Sequence, residues 1–550
     1  MIRGLSTNRW LRLCLGAIGA IACIQANASD WIYRVRPGDN VWELAALYMK
    51  PSQSWQKLQA YNTIADPLHL TPGSIMRFPI EWLRVAPAKA TVVAVVGHAT
   101  AGSQQSPTAP VVAGMQLGYG TRIVTAADAS LTLRFADGSQ VLVTGGSELD
   151  LDRMSAYGST GMVDTRLRLQ HGRVSSRVTP LTGTAAHFSI ATPGTISSVR
   201  GTHFRVAADA ASQQAWTEVT KGRVAVAGKH RSELVPAGKG VETDRGAAPS
   251  PSQALLPPPT LSCPTGVVSH LPLNLRWPAL PGAVRYRVQL STSPKFEALL
   301  ENRVLDLPQV GFSDLPDGDR ALRVRGVAAN GLEGEDAVCA FTVAAHPQPP
   351  LVMAPAPGSK VRDARPRFAW TQSEEAASYD WQLAGDPSFS HLLASQPALT
   401  GSDTRAPADL PLGRYYWRIA TRDHQGKLGP FTDPLPFVRV QQLPAPAVGQ
   451  PRHQHGQLDF AWQQGLPGQH YRVELSATSD FAHPLLDRVV DTAALSIHKP
   501  GHGVWYLRVR TIDTDGYAGP WGPVQRIKLP CVACRIVAAG GGAVVLWLLL

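Results

Sequence analysis

Residues with reactive side chains are scattered along this sequence of 550 residues. No Gly-x-Ser-x-Gly, no His-Glu-x-x-His and no Cys/His pair with a supporting carboxylate occurs, so no hydrolase pattern is present. His453 and His455 lie in a Pro/Gln-rich segment and are interpreted as solvated. Cys531 and Cys534 have C-x-x-C spacing without a βαβ context, which favours a local disulfide or an inert pair. No carboxylate cluster indicates a metal site, and Asp137-Gly138 is interpreted as a turn. We therefore predict a protein that is not an enzyme and has no cofactor.

Binding chemistry is concentrated near a turn at Pro37-Gly38-Asp39, which follows a short alternating strand. Asn40 can cap a helix, and Glu43, three residues later, can reach back to the Asn40 amide. Apolar residues at helical spacing follow: Val41, Leu44, Ala45 and Tyr48. A second helix with Trp55, Leu58 and Tyr61 precedes a strand from Ile75 to Phe78. The order predicted is β-α-α-β.

These residues resemble the LysM domain. The matching motifs are Tyr33-x-Val35-x-x-Gly38-Asp39-x-Val41-Trp42-x-Leu44-Ala45, Leu58-x-x-x-Asn62 and Leu70-x-Pro72-Gly73-x-x-x-x-Phe78-Pro79. The resemblance implies binding of N-acetylglucosamine glycans, usually peptidoglycan, in a groove between two loops. The glycan-binding residues it implies are Gly38, Asp39, Asn40, Val41, Trp42, Ile64, Ala65, Asp66, Pro67 and Leu68. Backbone groups would read the acetamide, and Val41, Ile64 and Pro67 would contact its methyl and ring. The alternative is that the turn only connects elements and Trp42 only packs.

From Thr91 to Asp244 short alternating runs are separated by turns, which predicts an antiparallel β-roll or solenoid-like sandwich. The region resembles the FecR domain through motifs including Leu133-x-Phe135-Ala136-Asp137-Gly138-Ser139 and Val199-Arg200-Gly201-Thr202. In the founding regulators of that family this domain receives a signal and a cytoplasmic part controls a sigma factor. We expect no anti-sigma function here, because residues 1–28 are predicted to be a signal peptide. Arg200 is a possible interaction residue, or a structural arginine that caps carbonyl groups.

The C-terminal half repeats with a period of about 92 residues, because Trp277, Trp370 and Trp462 are 93 and 92 residues apart. Each repeat resembles a fibronectin type III domain, and Tyr415-Tyr416-Trp417-Arg418 is its clearest motif. The tryptophans are predicted to lie in the cores. Pro-rich joints predict an extended stalk. In an exported chain, Cys263 and Cys339 are predicted to form a disulfide.

Both ends of the chain are apolar. Arg3, Arg9 and Arg12 precede an apolar run that ends in Ala26-Asn27-Ala28, which predicts an exported, periplasmic or envelope protein. Lipid attachment at Cys23 and retention as an anchor are the alternatives. Residues 536–550 are uncharged, and a short membrane anchor, an incomplete sorting signal or insertion against a partner remain open.

Composition limits the class of partner. The formal charge is +11, about +8 without the predicted signal peptide, but Lys and Arg are dispersed, so nucleic acid is excluded as a partner. Gly and Pro number 49 and 45, below the share expected of a disordered chain.

The sequence therefore predicts a mostly β, multidomain, non-catalytic envelope protein that binds peptidoglycan and presents its other domains to an unknown envelope protein. The alternative is a periplasmic sensor that acts through a separate membrane signalling partner. The predicted segments are a signal peptide (1–28), a LysM domain (31–82), a FecR-like domain (90–245), a Pro-rich linker (246–262), three fibronectin III-like repeats (263–345, 352–441 and 447–529) and a C-terminal hydrophobic segment (536–550).

Overall fold

The computed structural model describes residues 30–103 and 106–530. The chain divides into two units, residues 1–343 and residues 344–550. The predictions for the signal peptide, for Cys531 and Cys534 and for the segment 536–550 lie outside the described residues. In the part that is described, no helix is both long enough and apolar enough to cross a membrane.

The first unit begins with the β-α-α-β module that the sequence predicts. Its elements are β1 (Asp30–Arg34), α1 (Val41–Tyr48), α2 (Trp55–Tyr61), β2 (Ile75–Pro79) and a 3₁₀ turn (Ile80–Trp82). Strands β1 and β2 pair antiparallel, with Tyr33 opposite Met76. Asn40 caps α1, because its Oδ1 accepts a hydrogen bond from the Glu43 amide at 2.9 Å. The apolar face of α1 packs inward, which gives the module its core.

A β-roll follows. Its strands are β3 (Ala86–Pro87), β4 (Ala90–Val96), β5 (Ala99–Ser103), β6 (Ser106–Pro110), β7 (Gln116–Leu117), β8 (Arg122–Thr125), β9 (Ser130–Arg134), β10 (Gln140–Thr144), β11 (Glu148–Ala156), β12 (Val163–Arg177), β13 (His187–Ala191), β14 (Ile196–Val199), β15 (His203–Ala208), β16 (Ala215–Lys221), β17 (Arg223–Gly228), β18 (Arg231–Pro236), β19 (Lys239–Thr243) and β20 (Gln253–Ala254). Valine, leucine and phenylalanine side chains from alternate strand positions fill its core.

Strand β12 belongs to both sheets of the roll. Its first half pairs with β11 and β13, and its second half pairs with β10 and β15. The strand passes between the sheets at Gly172, where φ is +96° and an added Cβ would lie 2.5 Å from the Ser147 Cα. Only glycine fits this position. The pairing of β12 with β13 is parallel, an exception to the antiparallel arrangement that the turns predict.

The first repeat packs on the β-roll within the same unit. Its strands are β21 (Val267–Val268), β22 (Leu273–Arg276), β23 (Ala283–Ser291), β24 (Leu299–Leu305), β25 (Gln309–Phe312), β26 (Gly318–Ala328) and β27 (Ala337–Val343). Leu142 of the roll joins Phe296 and Leu299 of the repeat in one buried cluster. The predicted linker also contributes to the roll, because β20 pairs with β19. This repeat therefore differs from the free stalk segment that the sequence predicts.

A buried charge cluster lies at the same junction. Its members are Arg173, Arg205 and Glu218 from the roll, and Arg287, Arg323, Arg325, Glu333 and Asp336 from the repeat. Arg325 Nε lies 2.6 Å from Glu333 Oε2, and the Glu333 amide donates to Glu218 Oε1 at 2.7 Å. Arg205 donates to the Glu333 carbonyl at 2.8 Å. Burial alone would raise the pKa of Glu333, but the guanidinium groups around it hold that pKa well below its usual value.

The second unit contains two further sandwiches. The strands of the first are β28 (Val352–Ala354), β29 (Lys360–Val361), β30 (Arg367–Trp370), β31 (Ala376–Ala384), β32 (Leu392–Leu399), β33 (Asp403–Arg405), β34 (Gly413–Asp423), β35 (Leu428–Phe431) and β36 (Leu435–Arg439). The strands of the second are β37 (Arg452–Gln454), β38 (Gln457–Ala461), β39 (His470–Ser476), β40 (Leu486–Val490), β41 (Ala494–His498), β42 (Gly503–Ile512) and β43 (Gln525–Leu529). Each splits into two sheets.

The tryptophans that define the repeat period are core residues, as predicted. Trp277, Trp370 and Trp462 are 5%, 1% and 8% exposed. Each meets the tyrosine of its own repeat edge to face, with ring centroids 5.5, 5.6 and 5.5 Å apart. An offset or perpendicular arrangement is favourable for aromatic quadrupoles, so the sequence period reflects repeated packing. The mostly β, multidomain fold class is confirmed.

Candidate functional site

The turn before α1 is held by Asp39. Its Oδ2 accepts hydrogen bonds from the Tyr33 hydroxyl at 2.8 Å and from the Arg36 amide at 2.7 Å. Gly38 has φ +90°, a left-handed conformation that glycine adopts without strain. Burial and the hydrogen bond to the Asp39 carboxylate raise the pKa of Tyr33 to about 12. The Asp39 side chain therefore stabilises the turn.

The two segments named from the sequence lie side by side. The Val41 amide donates to the Pro67 carbonyl at 3.0 Å, so the start of α1 is joined to the loop after α2. The Val41 side chain is fully buried in the module core. It therefore offers no apolar contact to a sugar, which corrects the role expected for it, and its N–H group is already used.

The loop after α2 is fixed by local hydrogen bonds. Gln59 Nε2 donates to the Ile64 carbonyl at 2.9 Å. Asp66 Oδ1 accepts from the Leu68 amide at 2.9 Å, and Asp66 Oδ2 lies 2.9 Å from His69 Nδ1. The backbone bond from Leu68 and the contact with His69 lower the pKa of Asp66. The loop thus presents a carboxylate beside an imidazole, and His69 is a polar residue that the sequence motifs did not indicate.

The surface that these segments share is partly apolar. Trp42 is 49% exposed and Leu68 is 61% exposed. Gly38, Ala65 and Asp66 are also exposed, whereas Asp39, Asn40, Ile64 and Pro67 are half-buried. An exposed indole and an exposed aliphatic side chain on adjoining segments can contact the ring face of a neutral sugar. We call this surface, made of residues 38–42 and 64–69, the loop face.

The small module shares its core with the β-roll. Met162, Ala185 and Ala186 of the roll are buried in the same cluster as Tyr48 and Phe78 of the module. Trp31 of the module contacts Tyr48 and Phe78, with ring centroids 4.8 and 5.3 Å apart, and Thr184 Oγ1 of the roll donates to the Asp30 carbonyl at 3.4 Å. The connecting chain is also ordered, because β3 pairs with β11. The module and the roll are therefore packed together without a free tether.

Arg200 lies just after β14 and is exposed. One of its terminal nitrogens donates to the Gly183 carbonyl at 2.6 Å. Gly183 adjoins Met162 and Trp31, so this arginine stands where the roll meets the small module. The hydrogen bond fits the expected carbonyl-capping role, and the exposure leaves the rest of the guanidinium accessible.

Cys263 and Cys339 are joined by a disulfide in the first repeat, with their Cα atoms 5.5 Å apart. The bond connects the chain before β21 to β27, the last strand of that sandwich. Within residues 30–103 and 106–530, no group of three or more His, Cys, Asp or Glu side chains is arranged to hold a metal ion.

Two segments of the chain match family models. Residues 33–79 match the LysM domain, and residues 121–225 match the FecR protein family. LysM domains bind glycans such as peptidoglycan, and FecR domains are regulatory. Neither family is catalytic. A comparison with curated proteins finds no match to the chain.

Solved structures resemble parts of the fold. The FN1–FN3 domains of chicken CNTN1 align at 13% identity and TM-score 0.24, over 50% of this chain and 99% of that one. Fibronectin(III)-like modules of Clostridium thermocellum CbhA align at 11% identity and TM-score 0.24, over 32% and 92%. A putative anti-sigma factor from Parabacteroides distasonis aligns at 14% identity and TM-score 0.21, over 24% of this chain and 59% of that one.

Proposed function

We propose that this protein is a non-catalytic cell-envelope component that binds peptidoglycan through the loop face and offers the β-roll to an envelope protein partner. The observation that carries the proposal is a pair of exposed apolar side chains in a LysM-matched module: Trp42 in the first turn of α1 and Leu68 on the loop after α2, two segments joined by the hydrogen bond from Val41 to Pro67. Bare apolar groups beside backbone donors and acceptors are the features that a neutral acetamido sugar requires. Export to the envelope is part of the proposal, as is the role of residues 536–550 as an anchor.

The affinity of one such surface is expected to be modest. An open face that buries one or two sugars gains little beyond the cost of association. The exposed half of the Trp42 indole contributes about 1.5 kcal/mol when covered, which is roughly a tenfold change in affinity. Glycan strands offer many equivalent sites, so multivalent retention on a wall is compatible with weak single-site binding.

The test is co-sedimentation of the mature chain with purified peptidoglycan sacculi. Trp42→Ala and Leu68→Ala are each expected to weaken retention about tenfold. Leu47→Ala is the matched control, because Leu47 is 52% exposed on the same helix, five residues from Trp42 and on another face. Asp39→Ala is a poor probe because Asp39 holds the turn. Equal retention of all three variants, or no retention of the native chain, would refute wall binding at this face.

A regulatory role is the second candidate, and the FecR match of residues 121–225 favours it. In that case the β-roll would report to a separate membrane signalling protein. Crosslinking of the native chain in the envelope, followed by identification of the attached protein, distinguishes the two. A signalling protein attached through the roll favours the regulatory role. If the chain binds sacculi and no attached protein is found, only the wall-binding role is supported.

A further inference from the structure

The β-roll carries a groove on the solvent face of one sheet. Strands β11, β12, β13, β14, β17 and β18 pair in that order and form the floor. The groove has a volume of about 980 Å³. It lies outside the loop face, and neither the family motifs nor the sequence patterns assign a ligand to it.

The rim of the groove is basic. Five arginines line it: Arg153, Arg166, Arg168, Arg200 and Arg223. Two carboxylates offset them in part, because Arg153 and Arg166 both lie 3.1 Å from Asp164, and Arg168 lies 2.8 Å from Asp152. The formal charge of this set is therefore +3.

Among the residues that the structure describes, two of these guanidinium groups face no carboxylate. There Arg200 bonds only to a backbone carbonyl, and Arg223 has no hydrogen-bond acceptor or ion-pair partner. Both side chains are exposed. A planar guanidinium presents a fork of donors that matches a carboxylate, so these two positions are available to an anionic ligand.

The groove also has an apolar side. Ile196 is 49% exposed and Leu234 is 58% exposed, and both line it. Small side chains lie between these residues and the arginines: Ser189, Ala191, Ser198 and Ala225. A chain can approach the sheet closely across such a floor, with its charged groups on one side and its aliphatic groups on the other.

We propose that this groove binds an extended, acidic segment of a partner protein that carries at least one aliphatic side chain. The proposal rests on the proposed role of the β-roll in protein binding and names the chemistry of that partner. The arginines match glutamate or aspartate, and Ile196 and Leu234 match the aliphatic side chain. An anionic polysaccharide or polyphosphate has no aliphatic side chain to cover the two exposed residues. Two side chains are also too small an area to bury a lipid acyl chain.

The size of the groove fits a short segment. Five strand-to-strand intervals of about 4.8 Å give a width of roughly 24 Å. An extended chain at about 3.3 Å per residue covers this width with about seven residues. The recognition mode is that of acidic motifs read by arginine clusters.

The probe for the test is a fluorescein-labelled peptide of about nine residues in which glutamate and leucine alternate. Its binding to the full mature chain is followed by fluorescence anisotropy, with a glutamine-for-glutamate peptide as the reference. The double variant Arg200→Gln with Arg223→Gln is expected to weaken binding roughly tenfold. The double variant Arg276→Gln with Arg285→Gln is the control, because it removes the same charge from two exposed arginines of the first repeat.

A second variant keeps the test independent of arginine chemistry. Leu234→Ser changes an exposed residue, so the roll retains its fold. The variant is expected to weaken binding of the leucine-containing peptide but not binding of a glutamate–serine peptide. Circular dichroism checks that each variant is folded. Binding should also fall as the NaCl concentration rises, because the groove is open to solvent.

The proposal is overturned if the glutamate peptide does not bind, if the glutamine peptide binds equally well, or if both double variants weaken binding equally. It is also overturned if polyphosphate or an anionic glycan fragment binds at Arg200 and Arg223 while the peptide does not. Co-sedimentation of the native chain with sacculi is measured in parallel. Retention on sacculi without peptide binding means that only the groove proposal fails, whereas peptide binding without retention means that only wall binding fails.

Discussion

Replacing Glu333 by glutamine should weaken the packing of the first repeat on the β-roll. The Glu333 carboxylate is buried and accepts contacts from Arg173, Arg287 and Arg325, so the substitution keeps its shape and removes its charge. The eight-residue cluster has five guanidinium groups and three carboxylates, so its net charge rises from +2 to +3. Removing one partner of a buried ion pair costs about 3–5 kcal/mol.

Hydrogen exchange of backbone amides in the full chain measures this cost. The informative amides are those of β15 and β26, the strands that carry Arg205 and Arg325 to the junction. If their exchange requires the junction to open, a loss of about 3–5 kcal/mol accelerates it by roughly 150-fold to several thousandfold. Amides of β39 in the second unit should keep their native exchange rates.

Glu301→Gln is the matched control in the same repeat. Glu301 pairs with Arg303 at 2.6 Å, but both side chains are more than a third exposed, at 35% and 38%. An exposed pair of this kind contributes about 0–1 kcal/mol, so exchange should rise fivefold at most. If Glu333→Gln accelerates exchange no more than Glu301→Gln does, the cluster does not hold the junction and this reasoning is refuted.

Three further outcomes follow from contacts in the first unit. Burial would raise the pKa of Asp336, but Arg325 and its neighbours lower that pKa to about 2. The ionised carboxylate therefore stabilises the fold above pH 4, and this stabilisation is lost as the pH falls towards 2. Acid titration by circular dichroism should show a loss of stability of roughly 2 kcal/mol, and Asp336→Asn should abolish this pH-dependent loss. The Cys263–Cys339 disulfide closes a sequence separation of 76 residues, so replacing both cysteines by serine should cost about 4 kcal/mol in urea unfolding; finding both thiols free by mass mapping of unreduced native peptides would contradict the bond. Asn40→Ala removes the cap of α1 and should cost about 1 kcal/mol, and an unchanged urea midpoint would contradict this cap.

Local patterns in the sequence were sufficient for the β-α-α-β order, the capping of α1 by Asn40 and the buried tryptophans. Each depends on residues close in the chain or on a period that is visible in it. The parallel pairing of β12 with β13 was missed because the turn pattern predicts hairpins and does not encode a strand shared by two sheets. The antiparallel prediction therefore holds for most of the roll but not for this pair.

Long-range contacts were beyond the sequence patterns. Arg205 and Glu333 are 128 residues apart in the chain, and no motif links them. The arginine groove draws its side chains from separate strands, so only Arg200 was identified in advance. The Arg166-x-Arg168 alternation on β12 was a local sequence signal of the groove, because it places two arginines on one face of a strand.

The shared core between the small module and the β-roll has a consequence for how partners would meet. A tethered glycan-binding module would let the rest of the protein tumble at the wall. Here Met162, Ala185 and Ala186 pack into the module, so attachment of Trp42 and Leu68 to a glycan strand would also fix the direction in which the groove points. A partner confined to the same envelope layer would then meet the groove in a fixed orientation. Less rotational freedom of this protein would remain to be lost when the partner docks.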